Sequence, residues 1–263
     1  AGSVMSDAGI AIPVDFTPEQ RDALRRAATQ AGINVRSLVS EPSAAYIYSK
    51  EEIKGASNVA VFDWGGGTLD VSIISADGGN IHELAVAGKR LGGNDIDEMI
   101  ARHLHARIMQ ESGIPKAFAD MSGAERDQII DRSEEAKKRL STEDFALVRL
   151  MKYGEKAMTR QNITLEEFQK LTSARIEDAV EVLYQAARKA SISLGQLDAI
   201  LMVGGSCEMQ LIVKRLEEIG EEYHIPVVRP DNIQWAVAGG AAILSERKPS
   251  YKLQSDFGVL LSD

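Results

Sequence analysis

The chain has 263 residues, 44% of them hydrophobic and 26% charged, a balance that is ordinary for a globular protein and excludes collagen-like and disordered classes. Its 30 Lys and Arg side chains against 39 Asp and Glu leave a formal charge of -9, so we expect no binding to nucleic acid. The single cysteine, Cys207, excludes an intramolecular disulfide and a Cys-based zinc cage. No apolar run approaches the ~18 residues of a membrane span, and the first residues lack a signal-peptide pattern, so we expect a cytoplasmic protein that binds no membrane.

The N-terminal part of the sequence alternates short apolar runs with helix signals. Thr17, Pro18 and Gln20 supply an N-cap, a first-turn proline and a capping box, and Gly32 ends the helix that they open. This helix is predicted to lie between strands at 9–14 and 34–39, with an Ala-rich helix at 43–48 after them. A charged stretch at 50–57 then separates this part from the rest of the chain.

The next part changes to the period of two that is typical of strands. Apolar runs at 59–62, 69–74 and 81–87 are joined by a triple-glycine segment and by a turn at Gly78-Gly79, which predicts a three-stranded meander. A helix begins at Asn94 and ends at Gly113, and residues 124–151 are predicted as a helix followed by a strand in an inserted α+β unit. A capping box at Thr164-Leu165-Glu166-Glu167 opens a long helix. The last predicted elements are a strand at 197–203, a helix at 209–221, a strand at 225–228 and a helix at 235–246.

The strongest chemical signal is VFDWGGGTLDVS at 61–72, where an apolar strand delivers Asp63 to its end and Gly65, Gly66 and Gly67 turn the chain. Glycines let backbone N–H groups approach a phosphate, and Asp63 and Thr68 offer oxygens to a hydrated Mg²⁺. The segment matches neither a Walker A loop nor the dinucleotide-binding fingerprint. Taken alone, it is also typical of a Gly-rich hairpin with no ligand.

Two further glycine pairs, like the first glycine segment, lie in turns that connect two predicted elements. Gly92-Gly93 lies between the meander and its helix, and Gly204-Gly205 lies between an apolar strand and a helix whose N-terminus could face an anion. Any one of these turns is more often structural than functional. Three of them at strand ends indicate a nucleotide cleft built from several loops.

Five motifs in this order and spacing resemble the nucleotide-binding domain of DnaK-type heat-shock chaperones, over about residues 8–246. They are SEPSAAY (40–46), VFDWGGGTLDVS (61–72), LGGNDID (91–97), EEAKKRLS (134–141) and LMVGGS (201–206). The resemblance implies an α/β actin-like ATPase fold, related to ribonuclease H, with a mixed sheet and an inserted α+β subdomain. It divides the chain into the end of a first lobe (1–54), a second-lobe core (55–93 and 173–247), an inserted subdomain (94–172) and a tail (248–263) in which VLLSD resembles the start of an interdomain linker.

The resemblance also assigns roles to residues of this sequence. It implies that ATP or ADP binds with Mg²⁺, that Asp63 and Glu41 hold the metal through water, and that Thr68 and the glycines meet the phosphates. It also implies that one helical face contacts ribose and adenine and that a residue after the last strand contacts ribose. Two further positions would couple the nucleotide state to a peptide-binding domain. The glycines are Gly65, Gly66, Gly67, Gly92, Gly93, Gly204 and Gly205; the adenosine contacts are Glu134, Lys137, Ser141 and Asp231; and the coupling positions are Pro13 and Arg21.

Three features depart from the family pattern. The family's N-terminal phosphate-gripping hairpin and a catalytic lysine have no match in this sequence, so we expect a fragment that does not hydrolyse ATP alone, whereas its parent would be a weak ATPase. Glu208 stands where the family has an arginine that stacks on adenine, and a carboxylate cannot make that cation–π contact. Residues 232–234 form an insertion relative to the family pattern, directly after Asp231.

Two alternatives to a chaperone remain open from the sequence. An actin-like filament protein of MreB type shares the EP-x-AA and GGGT patterns, and a non-enzymatic partner-binding module is consistent with Glu208. The pairing of LGGNDID with EEAKKRLS favours the chaperone, whose parent would have a peptide-binding domain, unfolded clients and co-chaperones as partners. We expect Trp64 and Cys207 to be packing residues rather than parts of a site.

Overall fold

The computed structural model describes residues 7–53, 55–77, 80–113 and 115–247. The turn predicted at Gly78-Gly79 and the tail at 248–263 lie outside the described residues. Among the residues that are described, no helix is both long and apolar enough to cross a membrane.

The N-terminal part forms two parallel strands and two helices. Strand β1 (Asp7–Ile12) pairs with β2 (Asn34–Ser40), helix α1 (Pro18–Gln30) lies between them in the chain, and α2 (Glu41–Tyr48) follows directly. The predicted capping box is present, because the Thr17 hydroxyl accepts a hydrogen bond from the Gln20 N–H and the Gln20 side chain accepts one from Thr17 N–H. This box fixes the start of α1 at its proline.

The meander follows as β3 (Asn58–Trp64), β4 (Leu69–Asp77) and β5 (Asn80–Lys89), with antiparallel pairing throughout. The three predicted strands are therefore confirmed. All but two residues of β3 are buried, as the continuous apolar run indicates for a strand covered on both faces.

The middle of the chain comprises α3 (Gly93–Ser112), α4 (Gly123–Arg139), β6 (Phe145–Tyr153), β7 (Lys156–Thr164) and α5 (Leu165–Lys189). Strands β6 and β7 form an antiparallel hairpin that packs against α4. The sequence did not predict β7. Its inward positions are Thr159, Gln161 and Ile163, so polar side chains occupy two of the three places where apolar residues signal a strand.

The last elements are β8 (Ala199–Val203), α6 (Gln210–Tyr223), β9 (Val227–Val228) and α7 (Ala236–Arg247). Strand β8 pairs in parallel with β3 and β9, which gives a five-stranded sheet of order β5-β4-β3-β8-β9. Antiparallel and parallel pairs coexist in this sheet, which confirms the predicted α/β class with a mixed sheet. The sheet brings the ends of β3 and β8 side by side.

Helix α7 lies against the N-terminal part of the chain. It contacts α2, β1 and β2, and Ala241 and Leu244 pack with Val39 and Ala44. The approach of the two helices is close, since a Cβ on Gly240 would lie 1.8 Å from the Ala44 carbonyl oxygen. The division of the chain into lobes and an inserted subdomain remains a prediction.

Candidate functional site

The three glycine turns singled out in the sequence meet at one point. The Gly93 N–H donates to the Gly65 carbonyl oxygen (3.0 Å), and the Asn94 N–H donates to that of Gly66 (2.8 Å). The Ser206 hydroxyl, on the third turn, also donates to the Gly65 carbonyl oxygen at 2.8 Å. The turn after β3 is thus hydrogen-bonded to the turn before α3 and to the turn after β8.

Glycine is required where these turns touch. A Cβ on Gly92 would lie 2.1 Å from the Gly66 carbonyl oxygen, and one on Gly204 would lie 2.5 Å from that of Trp64. Gly204 also has φ of +84°, a conformation that side-chain-bearing residues rarely adopt. The sequence pattern therefore reflects close backbone approach at this junction.

A cavity of about 740 Å³ lies on one side of the junction. Asp63 from β3, Asp70 from β4 and Thr68 from the turn between them line it, as does Glu41 at the start of α2. Pro13, predicted as a coupling position, lies in the same lining. The structure thus brings together the two residues predicted to hold a metal through water, and it adds Asp70, which the sequence analysis did not select.

The carboxylates of this larger cavity influence one another. Burial, with further contributions from Asp63, Asp70 and Asp15, raises the pKa of Glu41 to about 7. Burial and Asp70 raise the pKa of Asp63 to about 6. Raised pKa values mean that the ionised carboxylates are destabilised here by burial and by mutual repulsion. A bound cation would favour the ionised forms.

The donor set fits a hydrated divalent cation. Carboxylate oxygens are the ligands that Mg²⁺ prefers, and Mg²⁺ usually keeps several of its waters. Within the described ranges, no three Asp, Glu, His or Cys side chains are grouped as direct metal ligands.

A second cavity, of about 250 Å³, is lined by residues of all three glycine turns, including Gly66, Gly93 and Gly205. Glu134, Lys137 and Ser141 of the EEAKKRLS segment line it together with Gly93 and Gly205. With Gly66, which also lines it, the structure brings six predicted nucleotide contacts to one place. Further lining residues that sequence reasoning missed are Asn94, Lys138 and Ser206.

Lys137 is not free to bind a ligand with its charge. Its ammonium group donates to Asp97 Oδ2 (2.8 Å) and to the Gly93 carbonyl oxygen (3.1 Å), and both side chains of this ion pair are buried. Burial raises the pKa of Asp97, whereas the hydrogen bond from Lys137 lowers it. Lys137 therefore holds the second glycine turn against α4, a role that spacing could not reveal because the partners are 40 residues apart.

Glu208 lines the smaller cavity, as does Gln234 from the segment read as an insertion. The Gln234 side-chain N–H donates to Glu208 Oε1 at 3.2 Å. The two departures from the family pattern, Glu208 and the inserted segment that contains Gln234, are therefore in contact.

Other predicted residues lie outside the two cavities. Asp231 is exposed and is not in either lining, and the same holds for Gly67. Arg21 donates from Nε to the Phe16 carbonyl oxygen at 3.0 Å, which ties the start of α1 to the preceding loop. Gly65, Gly92 and Gly204 support the turns without lining a cavity.

Trp64 and Cys207 are packing residues, as predicted. Trp64 is fully buried and donates its indole N–H to the Leu91 carbonyl oxygen at 3.0 Å. Cys207 is also fully buried, and burial raises the pKa of its thiol, so it has no nucleophilic character.

A comparison with protein families agrees with this geometry. A family model described as Hsp70 protein matches residues 1–257. The match covers nearly the whole chain and supports a chaperone nucleotide-binding domain. The mixed five-stranded sheet is consistent with the actin-like ATPase fold. It also favours a chaperone over an actin-like filament protein. The chain belongs to the Hsp70 family.

Proposed function

We propose that this polypeptide is part of the nucleotide-binding domain of a DnaK-type chaperone and that it binds ATP or ADP together with Mg²⁺. The observation that carries this proposal is the junction of three glycine turns, whose residues line one cavity and are flanked by residues of another. The larger cavity is rich in carboxylates, and the smaller one is lined by mixed polar groups. A nucleotide has the same division, with charged phosphates and their cation at one end and ribose and base at the other.

The phosphates would lie over the glycine turns. Gly66 and Gly205 line the smaller cavity, and Thr68 lines the larger one, so a chain of phosphates crossing the junction meets backbone N–H groups and a hydroxyl. When bound, Mg²⁺ would neutralise phosphate charge. Asp63 and Glu41 would accept hydrogen bonds from the waters around it.

The adenosine end would occupy the smaller cavity. Glu134 and Ser141 present a carboxylate and a hydroxyl that accept hydrogen bonds from ribose, while Lys137 keeps the Gly93 turn in place. Lys138 is paired with Glu134 at 2.7 Å. Asp231 lies outside this lining, so it would reach the ribose only if its own exposed stretch of chain moved toward the cavity.

Family membership extends the proposal to the intact parent. There the bound nucleotide would be hydrolysed slowly, and the nucleotide state would reach a peptide-binding domain through Pro13 and Arg21. Unfolded client proteins and co-chaperones would be the partners, and the cytoplasm the location. Pro13 lines the larger cavity, which supports a coupling role for it near the proposed phosphate end.

Calorimetric titration with ADP, with and without Mg²⁺, tests the proposal. We expect a Kd of about 0.1–1 mM with Mg²⁺, or roughly -4 to -5.5 kcal/mol. Asp63→Asn should weaken Mg²⁺-dependent binding, because the amide lowers the negative charge that faces the ion. Asp77→Asn is the matched control, since Asp77 is exposed at the far end of β4. Equal effects of the two substitutions, or no ADP binding by the wild-type chain, would contradict the proposal.

A further inference from the structure

The two tryptophans of this chain differ completely in environment. Trp64 is fully buried with its indole N–H satisfied, whereas Trp235 is 67% exposed, the most exposed of the large apolar side chains in the described residues. Exposing an indole forfeits the free energy that its burial would give, so a tryptophan in this position is a candidate contact for a ligand or partner.

The backbone around Trp235 is held firmly. Ile233 and Ala236, on either side, are buried at 8% and 0% exposure. The Trp235 N–H donates to the Asn232 carbonyl oxygen, and the Trp235 carbonyl accepts from the Gly239 N–H, both at 2.8 Å. The exposed indole therefore stands on an anchored turn at the start of α7, so little ordering of the backbone is needed when it makes a contact.

Trp235 adjoins the smaller cavity along the chain, although its own side chain is not part of the lining. The preceding residue, Gln234, lines that cavity and donates to Glu208 across its edge. The lining itself contains no aromatic side chain, and its only sizeable apolar member is Met209. A base entering this cavity would find hydrogen-bonding groups but no flat surface, and the nearest exposed aromatic surface along the chain is the indole of Trp235.

We propose that Trp235 stacks on the base of a nucleotide bound in the smaller cavity. This inference rests on the proposed function and adds a residue that none of the sequence motifs contains. Stacking on an indole uses the π-face that every base has. Trp235 therefore contributes to affinity but little to specificity for one base over another. Glu208, held by Gln234, then borders the base without having to stack on it.

Tryptophan fluorescence reports this contact directly, because Trp64 is buried and Trp235 is not. Titrating the 263-residue chain with ADP and Mg²⁺ should quench the emission of the exposed indole. Trp235→Phe, which leaves only the Trp64 signal, should bind ADP nearly as well by calorimetry while losing the quenching.

Affinity measurements separate stacking from other effects. Trp235→Ala should weaken ADP binding at least about fivefold, whereas pyrophosphate, which has no base, should bind the variant and the wild type equally. Phe145→Ala is the matched control, since Phe145 is 55% exposed on β6, on a separate sheet, and ADP affinity should not change.

Three outcomes overturn the inference, and they are distinguishable. If the wild type binds ADP and Trp235→Ala binds it equally well without any quenching in the wild type, the stacking role is wrong and the proposed function stands. If calorimetry detects no ADP binding to the wild type, both fail. Loss of pyrophosphate binding in Trp235→Ala would show that the substitution distorts the glycine junction, which also contradicts a stacking role.

Discussion

Replacing Lys137 with methionine tests the assignment of this residue as a structural support of the site. The ammonium group has two acceptors, Asp97 and the Gly93 carbonyl, and the side chains of the ion pair are only 10% and 4% exposed. Methionine keeps the length of the side chain but removes its charge. Asp97 would then remain buried with no cation beside it, and its Oδ1 already has no hydrogen-bond partner in the described structure.

The expected cost is large for a single substitution. Leaving one member of a buried ion pair uncompensated costs about 3–5 kcal/mol, which corresponds to roughly 10 °C in Tm for a chain of this size. The cost should shrink at low pH. Burial raises the pKa of Asp97 and Lys137 opposes that shift, so the variant's carboxyl takes up a proton at higher pH and the unpaired charge disappears as the pH falls.

Urea unfolding of a double-mutant cycle measures this effect. Asp97→Asn together with Lys137→Met should recover about 2 kcal/mol or more relative to the sum of the single substitutions, because no buried charge is left. Lys138→Met is the control, since the Lys138 side chain is 67% exposed and its pair with Glu134 contributes at most a few tenths of a kcal/mol. Additive costs in the cycle, or equal costs for Lys137 and Lys138, would refute the reasoning.

Three further results are expected. Gly204→Ala should destabilise the fold by about 1–3 kcal/mol in urea unfolding because of its φ of +84° and its contact with Trp64, whereas Gly205→Ala, with open space around its Cβ, should cost far less. Glu41 and Asp63 have raised pKa values of about 7 and about 6, so they stabilise the folded state at low pH and lose that contribution as the pH rises through this window; a Glu41→Gln variant should show a flatter dependence of the urea midpoint between about pH 5 and about pH 8. Amides of α1, which buries only Ala28, should exchange hydrogen faster than those of β3; equal protection would contradict this.

The sequence predicted those parts of the fold whose signals are local. The meander, the capping boxes at Thr17 and Thr164, and the glycine turns depend on short-range periodicity and on residues a few positions apart. Strand β7 escaped prediction because Thr159 and Gln161 face inward, and the Gln161 amide is satisfied by Glu111 at 2.8 Å. A buried polar residue with a distant partner has no signature in its own segment.

The candidate site shows the same limit. Spacing placed Glu134, Lys137 and Ser141 on one helical face; the structure has all three in one cavity lining, but Ser141 lies in the turn after α4, which ends at Arg139. It could not show that the charge of Lys137 is used internally, because Asp97 belongs to another helix. The contact between Glu208 and Gln234 likewise joins positions 26 residues apart in the chain.

The charges around both cavities lead to a last prediction, which concerns salt. Four carboxylates line the larger cavity against two cations, of which Lys89 is paired with Asp178 at 2.9 Å, and in the smaller cavity Lys137 and Lys138 are paired with Asp97 and Glu134. The chain as a whole carries a formal charge of -9. ADP without Mg²⁺ therefore meets net repulsion, which salt screens. We expect its affinity in the presence of a chelator to rise as ionic strength increases from about 0.05 to about 0.3 M, measured by calorimetry at constant pH. With Mg²⁺ the repulsion is largely neutralised and the dependence should be flat. A metal-free affinity that falls with added salt would mean that unpaired cations, and not backbone N–H groups, hold the phosphates.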